Sequence, residues 1–338
     1  MSDYTPTQRI LHKLALSSTT ICEAQFDIEC ALEKPIATSE GQHVFVAGLA
    51  RAGTTILIRS MYKSGVFGTL TYRDMPFVMA PNLWAKLHKR STRKIKAKMR
   101  AHEDGILVDA DSPEAFEEVF WRVHLHQDYL NDASVGLRPH DVPPDVVESF
   151  RKYVSLVLKK SKSTRYLSKN NNNILRLKGI LDAFPEAQIL VPFRNPDHHA
   201  HSLLRQHERF LSNKDAFTQR YMGWLGHYEF GPGHRHFAFP EVSLTDLEPD
   251  DREYWLAQWT GVYQHLLENY GNENRVRFVC YEDLCAKPRA WKALTNWLDM
   301  PLNSSSEFLE KPSDTTDLAS TEASDLYYRM RELHPDRH

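Results

Sequence analysis

Apolar residues recur at helical spacing from residue 4 to residue 34, with Ile10, Leu11, Leu14 and Leu16 followed by Ile21, Phe26, Ile28 and Leu32. That period predicts a helical preface. The pattern then changes. "HVFVAG" (43–48) is almost wholly apolar and closes on glycine, and "TTILIRSMYKSG" (54–65) returns to helical spacing and stops at Gly65. Together they predict a buried strand, a tight loop and a helix. Residues 74–101 contain "MPFVMAPNLWAKL" and a basic run; "SPEAFEEVFWRVHL" (112–125) opens with serine at an N-cap and proline at the first helical position, and 143–160 opens on Pro143-Pro144. The middle of the chain therefore reads as helical.

"QILVPFRNP" (188–196) predicts a second buried strand, with a helix before it over 173–184 and another starting near Asp197, and "RVRFVCYEDL" (275–284) predicts a third. Strands separated by helices and long helical insertions indicate an α/β fold with a parallel sheet covered on both faces. The segment 230–248, with "GPGHRHFAFP", predicts a surface loop, and the serine- and threonine-rich stretch 303–324 is expected either to be mobile or to order over a ligand. There is no internal repeat or low-complexity linker. The expected organisation is an N-terminal helical extension, 1–42, packed on a single α/β domain, 43–338.

Composition narrows the function. The chain has 338 residues, 41 % of them hydrophobic, enough for a real core. Lysine plus arginine (42) nearly balances aspartate plus glutamate (44), so no whole-molecule field draws it to nucleic acid or an anionic membrane, and any anion site is local. Cys22, Cys30, Cys280 and Cys285 are scattered, with no CxxC pair, which points to a reducing cytoplasm. No apolar run reaches signal-peptide or membrane-span length.

The loop "GLARAGTT" (48–55) matches the phosphate-binding pattern GxxxxGK[ST] at every fixed position except the lysine, which is replaced by Thr54. The parts of an anion cradle survive: glycines, successive N–H groups, a helix N-terminus and the hydroxyls of Thr54 and Thr55. The charge that reaches a triphosphate is lost, and no apolar strand ends in an obvious magnesium-binding aspartate, which argues against ATP hydrolysis. Arg51, inside the loop, offers instead a planar fork of donors. In "RNPDHHAHS" (194–202), Arg194 ends a strand and Ser202 follows eight residues later. Strand ends on one edge of a parallel sheet converge, so Arg194 and the loop face one ligand from two sides.

These elements resemble the sulfotransferases that use 3′-phosphoadenosine 5′-phosphosulfate (PAPS). "FVAGLARAGTT" resembles their 5′-phosphosulfate loop in the bacterial and tyrosylprotein-type form, "RNPDHHAHS" their 3′-phosphate motif, and "VCYEDLCAKP" the strand-plus-YEDL segment that follows. The likeness spans roughly 43–300. It implies a P-loop-like parallel sheet flanked by helices with helical insertions, and a donor that needs neither a loop lysine nor a metal. It further implies that the backbone of Ala52, Gly53 and Thr54 with the hydroxyls of Thr54 and Thr55 holds the 5′-phosphosulfate, that Arg194 and Ser202 hold the 3′-phosphate, and that Tyr281 belongs to the donor site. Ala52 departs from the usual serine. The acceptor implied is a hydroxyl on a carbohydrate or other small molecule.

Transfer needs a base for the acceptor proton and cations for the leaving oxygen. In the tyrosylprotein-type branch the base lies just over twenty residues beyond the loop arginine; here that distance reaches "TYRDMPF", where Asp74 is the nearest carboxylate and Arg73 a neighbouring cation. Asp74 is thus the expected base, or else the cap of a helix beginning at Pro76. Glu118, with Trp121 three residues on, is expected to line the acceptor pocket, and Glu117 points to another face. By the same likeness Lys169, before four asparagines, is expected to stabilise the leaving oxygen and Asn170 to cap a helix or bind donor or acceptor; the other reading of the run is a plain turn. The histidines at 198, 199, 201 and 207 do not complete a zinc set. His124 and His126 are acceptor-site or surface groups. Lys89, Arg93, Lys96 and Arg100 form a basic stripe, either a track for an anionic acceptor or a solvated face. The rival readings are a small-molecule kinase and a catalytically silent nucleotide-binding protein of this fold. Oligomeric state is left open.

Overall fold

The computed structural model describes residues 4–35, 41–88, 98–99, 107–125, 136–286, 288–302 and 322–333. Its centre is β1 (Val44–Val46), buried along its whole length. β1 pairs in parallel with β5 (Arg165–Lys169) on one side and β6 (Gln188–Phe193) on the other. β2 (Phe67–Gly68) flanks β5 and β7 (Val276–Cys280) flanks β6, giving a five-stranded parallel sheet in the order β2-β5-β1-β6-β7. A short antiparallel pair, β3 (Lys98–Met99) and β4 (Leu107–Val108), stands apart from it. β1, β6 and β7 fall where the apolar runs predict strands. β5 and β2 were not anticipated: β5 begins and ends on a charged residue, and β2 has only two residues.

Alternating side chains of β1 serve two cores. Val44 and Val46 pack with Leu57, Met61, Leu190 and Trp291, and Phe45 packs with Phe150, Tyr166 and Phe184 on the opposite face. A strand buried on both faces is why the run reads as continuously apolar rather than alternating.

Elsewhere the helix boundaries move for local reasons. The N-terminal preface is two helices, Pro6–Leu16 and Thr19–Glu33, because Ser18 caps the second by accepting the Ile21 N–H. The expected helix over 112–125 is reduced to Glu118–His124, since Pro113 bridges Thr71 and the Glu114 N–H donates to the Leu70 carbonyl. The helix expected at Pro76 begins at Pro81. The run 143–160 folds as Pro144–Ser161, and the helix after β6 as Pro196–Ser212. The helix expected over 173–184 is a 3-10 turn, Asn171–Leu175, followed by the helix Leu177–Ala183. Lys89, Arg93, Lys96, Arg100 and His126 lie outside the described residues, as does 303–321; residues 322–324 open the helix Glu322–Glu332.

Candidate active site

The chain leaves β1, runs out to β2, returns through β5 and then crosses to β6 on the other side of β1. β1 is therefore the switch point of the sheet, where a crevice opens beyond the carboxyl ends of the strands. The loop 47–53 enters that crevice. Arg51 (φ 70°) and Gly53 (φ 86°) both adopt left-handed backbone. Gly53 heads the helix Thr54–Tyr62 without a side-chain cap, and the first N–H groups of a helix have no intrahelical acceptor. An anion at this position meets both those donors and the positive end of the helix dipole. A Cβ on Gly53 would overlap the Tyr281 ring. Gly53→Ala is therefore expected to cost about 1–3 kcal/mol, read as a lower denaturant midpoint; an unchanged midpoint would show that neither the loop conformation nor the ring contact is required.

Arg194 follows directly on β6. Asn195 caps the helix Pro196–Ser212 by accepting the His198 N–H, and its own N–H donates to Glu282 at 2.9 Å. Within that helix Ser202 is buried, and Arg51 Nε donates to Ser202 Oγ at 3.2 Å. The loop after β1 and the segment after β6 thus touch through side chains 151 positions apart. The Arg194 guanidinium lies 5.7 Å from the centre of the Tyr281 ring, and its Nε is buried with no hydrogen-bond partner. A buried guanidinium nitrogen without a partner is costly, and an anionic oxygen would satisfy it.

His199 ties the two segments together a second time. It is fully buried, and its Nε2 lies 2.7 Å from the Ala50 carbonyl, so that nitrogen carries the proton and donates. Burial, with Arg194 and Arg51 nearby, pulls its pKa down to about 3. Burial likewise lowers His140 and His234 to about 4. These histidines bind protons more readily when unfolded, near 6.5, than when folded. Their contribution is complete above pH 6.5 and is lost as pH falls towards 4 and below. Thermal midpoints should therefore fall across pH 6.5 to 4, and His199→Gln should lower the slope by about one proton. An identical slope in the variant would mean that His199 is not held neutral.

The carboxylates are already engaged. Asp74 Oδ2 accepts from the Thr71 N–H at 2.8 Å, the Thr71 hydroxyl at 3.2 Å and the Lys160 ammonium at 2.8 Å. It closes a 3-10 turn, Tyr72–Asp74, rather than capping a helix at Pro76. Arg73 forms a bidentate pair with Asp111, 2.7 Å at each contact. Glu118 is fully buried in a bidentate pair with Arg176 at 3.0 and 3.1 Å and also accepts from Asn170 at 2.6 Å. The Trp121 indole donates to Glu117, not to its expected neighbour Glu118, and the Arg176 guanidinium lies 4.8 Å from the Trp121 ring.

Asn170 caps the turn Asn171–Leu175, and Asn173 donates to Glu117. With Asn171 donating to Glu229 at 2.8 Å, the asparagine run is thus a buried network that holds three carboxylates. His124 packs among Phe26 and Phe120. Lys169, at the end of β5 and in register with Val46, lies 3.6 Å from buried Glu114, which also accepts from the Tyr72 hydroxyl at 3.2 Å.

Arg51, Ala52, Gly53, Thr54, Thr55, Arg194, Ser202 and Tyr281 therefore form one connected group, with Lys169 beside it by strand register. Asp74 and Glu118 are committed to Lys160 and Arg176. Glu114 was missed in the sequence, Glu282 was noted only within the YEDL segment, and His199 only among histidines that complete no zinc set. Glu114 was hidden in a predicted helix, where the only signal was a carboxylate next to a proline. Among the described residues no group of three or more His, Cys, Asp or Glu gathers in the manner of a metal site, and no helix is long and apolar enough to cross a membrane.

Known proteins resemble the chain as follows. Among proteins of curated function, none matches the sequence. Solved structures with a similar chain trace include sulfotransferase STF1 from Mycobacterium tuberculosis H37Rv, 13 % identical over 96 % of this chain and 81 % of that one, with a TM-score of 0.49. Sulfotransferase STF9 from Mycobacterium avium is 15 % identical over 99 % of this chain and 79 % of its own, with a TM-score of 0.46. A sulfotransferase from Alicyclobacillus acidocaldarius is 13 % identical over 86 % and 92 %, with a TM-score of 0.35. At such values the structural likenesses carry no argument about activity, and the assignment stands on sequence: the sulfotransferase family model matches residues 43–304. The chain belongs to the sulfotransferase family.

Proposed function

We propose that the protein transfers a sulfuryl group from PAPS to a hydroxyl of a carbohydrate or other small molecule, without a metal. The observation that carries this reading is the 3.2 Å contact between Arg51 and Ser202, which joins the lysine-free loop to the Arg-Asn-Pro segment at one strand edge. Arg194, with its unsatisfied Nε, suits a 3′-phosphate. The capless helix start at Gly53 and Thr54, with the hydroxyls of Thr54 and Thr55, suits a 5′-phosphosulfate. Tyr281, between Gly53 and Arg194, fixes the spacing of the two anion sites.

The donor supplies an activated sulfur. As the acceptor oxygen bonds to it and the bridging S–O bond breaks, the hydroxyl proton must leave. We assign that proton to Glu114 and the charge on the leaving oxygen to Lys169, with Arg51 steadying the sulfuryl oxygens. Asp74 and Glu118 become positioning groups, because Lys160 at 2.8 Å and Arg176 at 3.0 and 3.1 Å hydrogen-bond them directly, whereas Lys169 stands 3.6 Å from Glu114. We assign the activity to a reducing cytoplasm, in keeping with four cysteines none of which is in a disulfide. We read residues 43–338 as the catalytic domain and 1–42 as its extension.

The donor assignment is tested by Arg194→Ala. It should weaken binding of adenosine 3′,5′-bisphosphate by about ten- to a hundredfold, as expected for one charge-assisted contact. Binding of adenosine 5′-phosphosulfate, which lacks the 3′-phosphate, should be unchanged. Equal loss for both ligands would remove the assignment of Arg194 to the 3′-phosphate.

A further inference from the structure

The N-terminal hairpin keeps one face on the body of the molecule. Tyr4 packs on Phe217 and Tyr221, Arg122 donates to the Leu16 carbonyl at 2.8 Å, and buried Glu29 accepts the N–H groups of Asn82 and Leu83. The opposite face is apolar. Ile10 and Leu14 are each 60 % exposed on the first helix, and Ile21, Ile28 and Leu32 are 45, 54 and 64 % exposed on the second. Among the described residues, five of the ten exposed large hydrophobic side chains thus lie on this one hairpin, which concentrates the apolar surface instead of scattering it.

The spacing is that of a packing seam. Ile21, Ala24, Ile28 and Ala31 follow one another at three, four and three residues, all exposed, and Ile10 and Leu14 are four apart. A helix facing only water carries polar residues on its outer side, whereas a three-four apolar repeat fits the holes of a facing helix. We propose that a second copy of this chain covers the seam, the two hairpins packing about a two-fold axis as a four-helix bundle.

Charge supports this occupant. Lys13 flanks the stripe on the first helix, and Glu23 and Asp27 flank that on the second, all three exposed. A two-fold axis that sets the first helix against the partner's second helix brings Lys13 towards the partner's Glu23 and Asp27, twice over. An anionic membrane would meet those same carboxylates with repulsion. A 15-residue helix is about 22 Å long, and two helices side by side are about 20 Å wide. The face is therefore about 450 Å² per copy, about 900 Å² in total, below the range of stable interfaces and within that of transient ones, so the dimer should be weak and concentration-dependent. The hairpin lies outside residues 43–304, so the seam is not part of the family's shared sequence.

Sedimentation velocity on the full chain, from low micromolar to about 100 μM, is expected to show a shift from 39.2 kDa towards twice that mass. Ile28→Glu, at an exposed position, should leave a monomer with an unchanged thermal midpoint. Lys13→Glu should weaken the dimer, and adding Glu23→Lys with Asp27→Lys should restore it. A wild type that stays monomeric throughout overturns the proposal, as does a dimer that Ile28→Glu leaves intact. Flotation of the wild type with anionic vesicles, lost in Ile28→Glu, would assign the face to lipid instead.

Discussion

Arg176→Ala is expected to lower the free energy of unfolding by about 3–5 kcal/mol, the usual cost of stranding one partner of a buried ion pair. Arg176 and Glu118 both have fully buried side chains, and two hydrogen bonds join them. Their surroundings allow no relaxation into water: Trp121 covers the guanidinium, and Gly226 backs the carboxylate so closely that a Cβ there would stand 2.6 Å from Glu118 Cγ. Without Arg176, Glu118 must be buried as an unpaired anion or take up a proton, and each route costs stability. Asn170, which donates to Glu118, loses its fixed partner in the second case. Chemical denaturation of wild type and variant measures the difference. The double variant Glu118→Gln with Arg176→Met should recover part of it, since replacing both charges leaves none unpaired. A single-variant loss under about 1 kcal/mol would mean that water reaches the pair in solution.

Glu114→Gln is expected to reduce turnover by about a hundred- to ten-thousandfold, the usual worth of a positioned base, with donor affinity unchanged. Glutamine keeps the shape of the side chain and can still accept from the Tyr72 hydroxyl, but it cannot take a proton. Lys169 would lose its ion-pair partner, yet it remains charged and next to the loop. Asp74→Asn provides the control. It removes the charge that holds Lys160 and weakens the Thr71 turn, so it should cost stability and leave turnover per folded molecule within a few-fold. The opposite pattern, a dead Asp74→Asn beside an active Glu114→Gln, would return the proton to the residue that spacing from Arg51 first suggested.

Much of this architecture was legible because the strands that carry the loop are buried on both faces. Val44–Val46 and Gln188–Phe193 read as apolar runs, and glycine and Asn-Pro mark where each turns into a helix. β5 was invisible for the opposite reason. Arg165 extends to the carbonyls of Gln42, Leu298 and Asp299, and Lys169 faces Glu114, so both ends look like loop. Arg51 and Ser202 could each be named from a motif, but the bond between them depends on how β1 and β6 pair, which periodicity does not encode. Glu114 was missed because Ser112-Pro113 reads as a helix start. In the fold Ser112 bonds to Asp109 instead, and Pro113 bridges Thr71, which pulls Glu114 out of the helix and onto Lys169. His199 was legible only as one of several neighbouring histidines, since nothing local distinguishes a histidine that reaches the Ala50 carbonyl from one that meets water.

The most direct test of the central claim is calorimetric titration of the wild-type protein with adenosine 3′,5′-bisphosphate and, separately, with magnesium ATP. The account predicts micromolar binding of the bisphosphate and binding of magnesium ATP weaker by about a hundredfold or more, because Arg194 and Ser202 meet a 3′-phosphate that ATP lacks and Thr54 replaces the lysine that grips a triphosphate. Tighter binding of magnesium ATP than of the bisphosphate would contradict it.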